Sequence, residues 1–589
     1  MEKLTQEQIS FLQAEGKVVV IACPGSGKTY SVASKLLSYN DNWNSYHQGV
    51  AVLSFTNIAS EEIYKKAIAL NKGVGQLDYP HYIGTVDSFI NEFIIFRYGY
   101  LMTHEHERPL VTLNDRWKLP YRFWRKECHT NGCVNGIENF QWGIDNKFYK
   151  GKERVICELR GKAKLLPCEQ YKLMLWNKNI LFQNEVASFA YRLLKMYPNV
   201  AKALAERFPI IMIDEAQDTS EEQMAVFEIL SDAGMKSMFL IGDPDQAIYE
   251  WRNANVDCFR RKLEESSWDK ISFTGNFRSS QNICNATALF SNTLKGNSVN
   301  EALGEYRNEV EKPVLLLTHD NSEQEIVDYF LEKCKKMNIT IDSEHVAVLT
   351  RGRIHSDTDI PGLWQSIEIE LFARAVYEWN YGSRKKAYND MTKASFRILI
   401  GEETDEYQIN QTIEKEIGLD IWKDFVIEVL CEAPETSIGI GDWVKQFTNV
   451  YENILNKYHF KLLDEINLKE IFKLKSRDTR NPLFKEIPLI NFFEKKSSGD
   501  YTRSSIHGVK GETYDAVLIY IKSNRGNTLT PKFLMEGDLD NELMRIAYVA
   551  MTRPRRLLMI AMPESKKIKE YSRFPKDRWN YIYFSDINR

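Results

Sequence analysis

The sequence predicts an α/β fold of two domains built on parallel sheets, each carrying a mostly helical insertion. Three observations predict it. Short apolar runs ending in polar or glycine-rich turns recur at 17–22, 50–55, 209–214, 237–242, 313–317, 346–350, 516–521 and 557–561. Their hydrophobicity is continuous rather than alternating, the mark of strands buried on both faces. Helical patterns follow most of them, for example at 29–38 and 59–70.

The runs fall into two groups, roughly 17–275 and 310–560, each interrupted by a stretch without them. At 589 residues the chain is too long for one core. Residues 1–91 and 186–268 are expected to form the first domain, with 92–185 as its insertion. Residues 269–353 and 496–589 are expected to form the second, with 354–495 as a divergent helical insertion.

Hydrophobic residues make up 43% and charged residues 27%, a globular composition rather than a disordered one. The net charge is −4, from 77 basic and 81 acidic residues. That balance neither demands nor excludes nucleic acid, since a local basic and aromatic groove can sit on an acidic protein. Cys128, Cys133, Cys157 and Cys168 share one region, but their spacing matches no common ligand frame and reads as reduced, packing cysteines. The polar N-terminus has no signal-peptide core, and no run of about 18 apolar residues occurs. A cytoplasmic protein with no membrane partner is expected.

The stretch ACPGSGKT, 22–29, follows the first apolar run. It has the form A-x-x-x-x-G-K-T, with Ala22 where a glycine is usual. Gly25 and Gly27 let the backbone curl so that its N–H groups point at phosphate oxygens. Pro24 and Ser26 complete the loop, Lys28 is expected to reach the β- and γ-phosphates, and the Thr29 hydroxyl to ligate Mg²⁺. In IIMIDEAQD, 210–218, Asp214 ends a strand where a carboxylate can hold a Mg²⁺-bound water. Glu215 can accept a proton from the attacking water. Together these stretches predict an NTPase.

A third stretch, GDPDQAIYEWRNA at 242–254, packs Asp243, Asp245 and Glu250 beside Tyr249, Trp251 and Arg252. A buried core disfavours the acids, and an ordinary loop disfavours the aromatics.

With these motifs in this order, the chain resembles the UvrD/Rep/PcrA family of superfamily 1A helicases over nearly its whole length; the two insertions match by position only. The resemblance implies two RecA-like P-loop domains, with ATP and Mg²⁺ as cofactors. It implies an ATP-dependent DNA translocase and helicase, 3′→5′ on single-stranded DNA, acting on single-stranded or tailed duplex DNA. Gln8, in LTQEQ, lies where the family reads adenine. In SFTNIASEE, Phe55, Thr56 and Asn57 would face the DNA strand; in IGTVDSF, Thr85 and Ser88 would lie near its phosphates. Gln246 would sense the γ-phosphate, Tyr249 and Trp251 would stack on bases, and Arg252 would link the two sites. In GNFRSS, Phe277 would lie against adenine and Arg278 would touch the γ-phosphate. In SSIHGVKGETYDAV, His507 would face DNA, with Lys510, Gly511 and Glu512 near nucleotide and strand. Arg553, in MTRPRR, would be an arginine finger at an exposed helix terminus before the helix-breaking Pro554.

The chain departs from the family in places. Tyr30 stands where arginine is frequent, and with Phe277 it would sandwich the adenine. KGETYDAV shifts the acidic residue of its motif by one position. About 35 residues follow the last motif, with no room for a C-terminal nuclease. Any nuclease activity would therefore have to come from a partner nuclease protein. Short chains of this type accompany nucleases in bacterial anti-phage systems such as Gabija. A regulatory ATPase that senses DNA and licenses such a nuclease is the alternative to a processive motor. A kinase-like P-loop enzyme accounts for 22–29 and 214–215 but for none of the later motifs.

Overall fold

The structure is a computed structural model. It describes residues 4–112 and 140–586 apart from 41–42, 44, 72–76, 78, 104–107, 151–152, 156–165, 250–253, 297, 320–322, 351–363, 365, 402–405, 464–465, 475–483, 494–500, 522–528 and 565–571. The chain divides into two compact units. One comprises Met1–Asn114, Tyr121–Arg353 and Ser498–Arg589; the other comprises Asp115–Pro120 and Ile354–Ser497.

The first unit holds two six-stranded sheets, parallel throughout. The first sheet runs in the order Asp269–Phe273, Lys17–Ala22, Ser237–Gly242, Ile210–Ile213, Val50–Ser54, Tyr82–Thr85. The second runs Thr502–Ser505, Val346–Thr350, Tyr514–Tyr520, Pro554–Pro563, Val314–Thr318, Asn580–Tyr583. All eight apolar runs are strands, and all lie inside the sheets. The four strands that carry no apolar run are the four sheet edges. An edge is covered less completely, so its sequence need not be apolar: Asp269–Phe273 buries only Phe273 fully, and Thr502–Ser505 buries no residue fully.

Helices on the sheet faces close the cores. Phe11, Val32 and Leu36 pack on Val18, Val20, Met212 and Phe239 of the first sheet. Ile546 and Val549 of the helix Glu542–Met551 pack with Val517, Ile519 and Leu558 of the second. Parallel strands all end on one edge of the sheet, and the loops there are where such folds gather ligands. Phe55, Asp214 and Asp243 each follow the last residue of a first-sheet strand.

The described part of 92–185 combines the helix Pro167–Asn177 with five short strands in two small sheets. The rings of Phe140 and Phe148 stack at 5.6 Å across one strand pair. Cys128, Cys133 and Cys157 lie outside the described residues, and Cys168 is half-buried.

The second unit is helical. Its long helices are Ile367–Tyr381, Arg384–Leu399, Glu406–Glu416, Leu419–Glu432 and Ile440–Lys457. Its core is aromatic, built on Phe372, Trp422, Phe425, Trp443, Phe447 and Tyr451. Among the described residues, no helix is long and apolar enough to cross a membrane.

Candidate active site

The strand Lys17–Ala22 turns through Pro24–Gly27 into the helix Lys28–Asn40. Gly25 and Gly27 have φ +73° and +78°, in the left-handed region that glycine enters without penalty. Gly25 also has no room for a side chain. A Cβ there would stand 2.6 Å from Asn276 Oδ1 and 2.7 Å from Arg278 Cβ. The loop and the 276–278 segment touch directly, with Phe277 N donating to Gly25 O at 2.8 Å. Between them lies a cleft of about 330 Å³, lined by Pro24–Tyr30, Asp214, Glu215, Gln246, Phe277, Arg278 and Arg553 among others.

Gln8 and Ala22 are buried and do not line this cleft. Gln8 forms a capping box with Thr5, and its Nε2 donates to Ser26 O at 3.2 Å. Its amide therefore braces the phosphate loop from behind. Tyr30 and Phe277 both line the cleft, as an adenine sandwich requires.

Two carboxylates and a lysine face the phosphate end. Lys28 Nζ lies 3.7 Å from Glu215 Oε2. Asp214 N donates to Leu53 O at 2.8 Å, and Asp214 Oδ1 accepts from Glu215 N at 3.0 Å. Glu215 has φ +54°, unusual for a side-chain-bearing residue and costing on the order of 1 kcal/mol. Gln217 Nε2 steadies its carboxylate at 2.6 Å. Burial opposes the charge on Glu215, but Lys28, Lys510 and the Gln217 hydrogen bond outweigh it and hold its pKa below the usual carboxylate range. Burial and the neighbouring Glu215 charge push Asp214 the other way. Burial also opposes the charge on Lys28, yet Glu215, Asp243 and Asp214 raise its pKa overall. Glu215 is thus an ionised acceptor beside an obligate cation. The hydroxyl of Thr29 and the carboxylate of Asp214 face one cleft, a hard-oxygen pair that fits Mg²⁺.

The opposite wall comes from the second sheet. The helix Glu542–Met551 ends before Pro554, with Thr552 as its C-cap, as proline predicts. Arg553 is not exposed, however: only 2% of it is accessible. The expected exposed terminus is corrected by three contacts that cover the guanidinium. Nε donates to Val549 O at 2.9 Å, Nη1 to Glu512 O at 3.3 Å and Nη2 to Gln246 Oε1 at 2.8 Å. Arg278 Nη1 donates to Thr552 O at 3.0 Å; burial and the nearby Arg553 push its guanidinium down to about 9. The exposed Glu512 does not line the cleft; its carboxylate accepts from the Tyr514 hydroxyl.

The stretch 242–249 runs between this cleft and an aromatic surface. Asp243 caps the turn Pro244–Gln246, accepting from Asp245 N at 3.0 Å and from Gln246 Nε2 at 2.6 Å. Asp245 turns away from the cleft and accepts from the Ser291 hydroxyl and from Thr293 N. Asp243 does not line the cleft but holds Gln246, which does, while Asp245 ties the turn to the 291–293 segment. Three residues beyond Gln246, the Tyr249 ring stacks on Phe55 with centroids 5.0 Å apart and planes 29° apart. Glu250, Trp251 and Arg252 lie outside the described residues.

The remaining residues expected to face DNA sit at or near helix starts. Thr56 caps Asn57–Leu70, leaving Asn57 exposed. Thr85 caps Val86–Phe89, and its hydroxyl donates to Ser88 Oγ at 2.8 Å. His507 is half-buried in the turn Ile506–Val509. Sequence reasoning gave no role to Asp218 or Arg545. Lys510 pairs with Asp218, donates to Gln246 O at 3.1 Å and sits 4.5 Å from the Tyr249 ring centre. Arg545 Nε donates to Ala247 O at 2.7 Å. The acid of Asp218, quoted within DEAQD, was the one visible signal.

Residues 3–266 match the UvrD/REP helicase N-terminal domain. The chain is 26% identical to the Gabija protein GajB of Bacillus cereus over 351 residues, 59% of each chain. It is 25% identical to the ATP-dependent DNA helicase Rep of Buchnera aphidicola over 358 residues, 58% of this chain and 53% of Rep. It is 23% identical to a probable DNA helicase II homolog of Mycoplasma pneumoniae over 611 residues, 93% of this chain and 82% of the homolog. The chain spans little more than half the length of the first two of these relatives.

Proposed function

We propose, from the chain's likeness to the UvrD-like helicases of superfamily 1A, that it is an ATP-driven translocase and helicase acting on single-stranded or tailed duplex DNA. The polarity implied by the resemblance is 3′→5′. One observation carries the reading: Gln246 accepts from Arg553 across the cleft, and Tyr249, three residues on, presents a stacked ring.

The residues divide the work. Backbone N–H groups of the glycine loop and Lys28 hold the phosphates. Glu215, kept ionised, orients the attacking water and accepts its proton. Mg²⁺, held by Thr29 and Asp214, would neutralise charge between the β- and γ-phosphates. Arg278 and Arg553 belong to the second wall, so their stabilisation of the γ-phosphoryl group depends on the cleft being closed. An arginine delivered in this way is worth roughly 10³–10⁵ in rate. Because Gln246 connects to both Arg553 and the chain leading to Tyr249, closure is coupled to the strand. Stacking on Phe55 and Tyr249 reads no sequence, which suits a motor that crosses any sequence.

Steady-state ATP hydrolysis with and without single-stranded DNA tests the nucleotide site. Lys28→Ala should abolish turnover; retained turnover overturns the assignment. Strand displacement on 3′- and 5′-tailed duplexes tests the motor and its polarity. The match to the Gabija protein GajB supports a second reading, in which the cleft licenses a partner nuclease with little unwinding. DNA-stimulated hydrolysis without displacement of either duplex would select that reading.

A further inference from the structure

The cleft contains a third arginine from the second wall, and none of the motif assignments uses it. Arg555 is the second residue of the strand Pro554–Pro563 and lines the same cleft as Arg278 and Arg553. Its neighbour Arg556 is engaged elsewhere, donating to Glu309 and to Met337 O at 2.9 Å each, and does not line the cleft.

Hydrogen bonds tie the segment that carries Arg278 to the one that carries Arg553 and Arg555. Arg278 Nη1 donates to Thr552 O, Ser279 Oγ donates to Pro554 O at 2.7 Å, and Ser280 N donates to Arg555 O at 2.9 Å. Residues 278–280 and 552–555 are therefore stitched together, and the three arginines line one cleft. The Arg555 side chain is oriented by a buried carboxylate: its Nη1 donates to Asp515 Oδ1 at 3.0 Å, while 38% of the side chain remains accessible. Asp515 is itself fixed, its N donating to His345 O at 2.8 Å.

We propose that Arg555 is a further substrate-binding residue, contacting the phosphates of the bound nucleotide, and that Asp515 is its positioning residue. The inference rests on the ATPase reading of the cleft. Guanidinium forks suit phosphate oxygens, and here one nitrogen of the fork is held by Asp515 in a residue that lines the cleft. Arg278 and Arg553 already serve the reacting phosphoryl group, so Arg555 should act on binding more than on rate.

The test is steady-state hydrolysis by the full chain at saturating single-stranded DNA. Arg555→Ala and Arg555→Gln should each raise KM for ATP about 10-fold with kcat within about twofold, the loss of one charge-assisted contact. Arg555→Lys should recover most of that loss. Asp515→Asn should raise KM in the wild-type background and add nothing in R555A. An unchanged KM in R555A and R555Q, or a fall in kcat with KM unchanged, overturns the proposal. An Asp515→Asn effect that persists in R555A overturns the positioning role. Should R555A fail to fold, R555Q and R555K decide. Turnover retained in Lys28→Ala would instead sink the cleft assignment itself, so the two failures are distinguishable.

Discussion

Arg553 Nη2 donates to Gln246 Oε1 at 2.8 Å, joining the end of the second-wall helix to the turn that follows a first-sheet strand. Gln246 also donates to Asp243 at 2.6 Å. A side chain held from both sides registers whether the cleft is closed. Gln246→Ala should lower the DNA-stimulated kcat about 10- to 100-fold, the size of one or two charge-assisted hydrogen bonds. Basal ATP binding, measured by equilibrium titration, should change little. If stimulation by DNA survives unaltered, Gln246 does not couple the sites.

Glu215 is the proton acceptor in the proposed mechanism; Asp214 Oδ1 and Asp218 N hold its strained backbone, and Gln217 holds its carboxylate. Glu215→Gln keeps the shape and removes the charge. It should lower kcat about 10²- to 10⁴-fold, the usual value of a positioned general base, while leaving ATP affinity largely intact. A loss confined to KM would move Glu215 from catalysis to binding.

Asp243 sets a pH dependence of stability. Burial first, then the charge of Asp245, raises its pKa from 3.8 to about 7. The folded state therefore favours the protonated acid. Its contribution is complete below the unfolded value near 3.8 and is lost as pH rises through about 7. The nucleotide-free protein should melt at a lower temperature at pH 8 than at pH 6, and Asp243→Asn should flatten that slope. Equal slopes in wild type and variant would exclude Asp243 as the source.

Phe55 and Tyr249 form an aromatic pair with ring centroids 5.0 Å apart. Phe55→Ala and Tyr249→Ala should each weaken binding of an oligo-dT strand about 10-fold, from roughly 1–3 kcal/mol per stacked base. Basal ATP hydrolysis should stay near wild type. Unchanged affinity for oligo-dT, measured by fluorescence anisotropy, would remove this pair from the strand path.

Sequence reasoning resolved the interiors of both sheets and missed their edges. PIIMID and SMFLIG must be apolar throughout, because each strand is covered on both faces. Asp269–Phe273 and Asn580–Tyr583 are partly exposed, so their sequences carry no such constraint. In the site, the loop 22–29 and the pair Asp214–Glu215 were legible because their chemistry is local: glycine curvature, a phosphate-reaching lysine, a carboxylate at a strand end. The burial of Arg553 was not, since the residues covering it lie as far away in sequence as Gln246.

By itself the sequence singled out the residues suited to the proposed nucleotide chemistry, and showed that two parallel sheets carry them. Local spacing and continuous hydrophobicity are enough for that. Only the tertiary structure decided which groups meet: Asp245 with Ser291, Lys510 with Asp218 and the Tyr249 ring, Arg545 with Ala247 O, and Arg555 with Asp515. These partners are 40 to 298 residues apart. The first four pairings follow from how the two sheets meet across the cleft and the last from the register of two neighbouring strands of the second sheet, properties of the folded chain that no local pattern records.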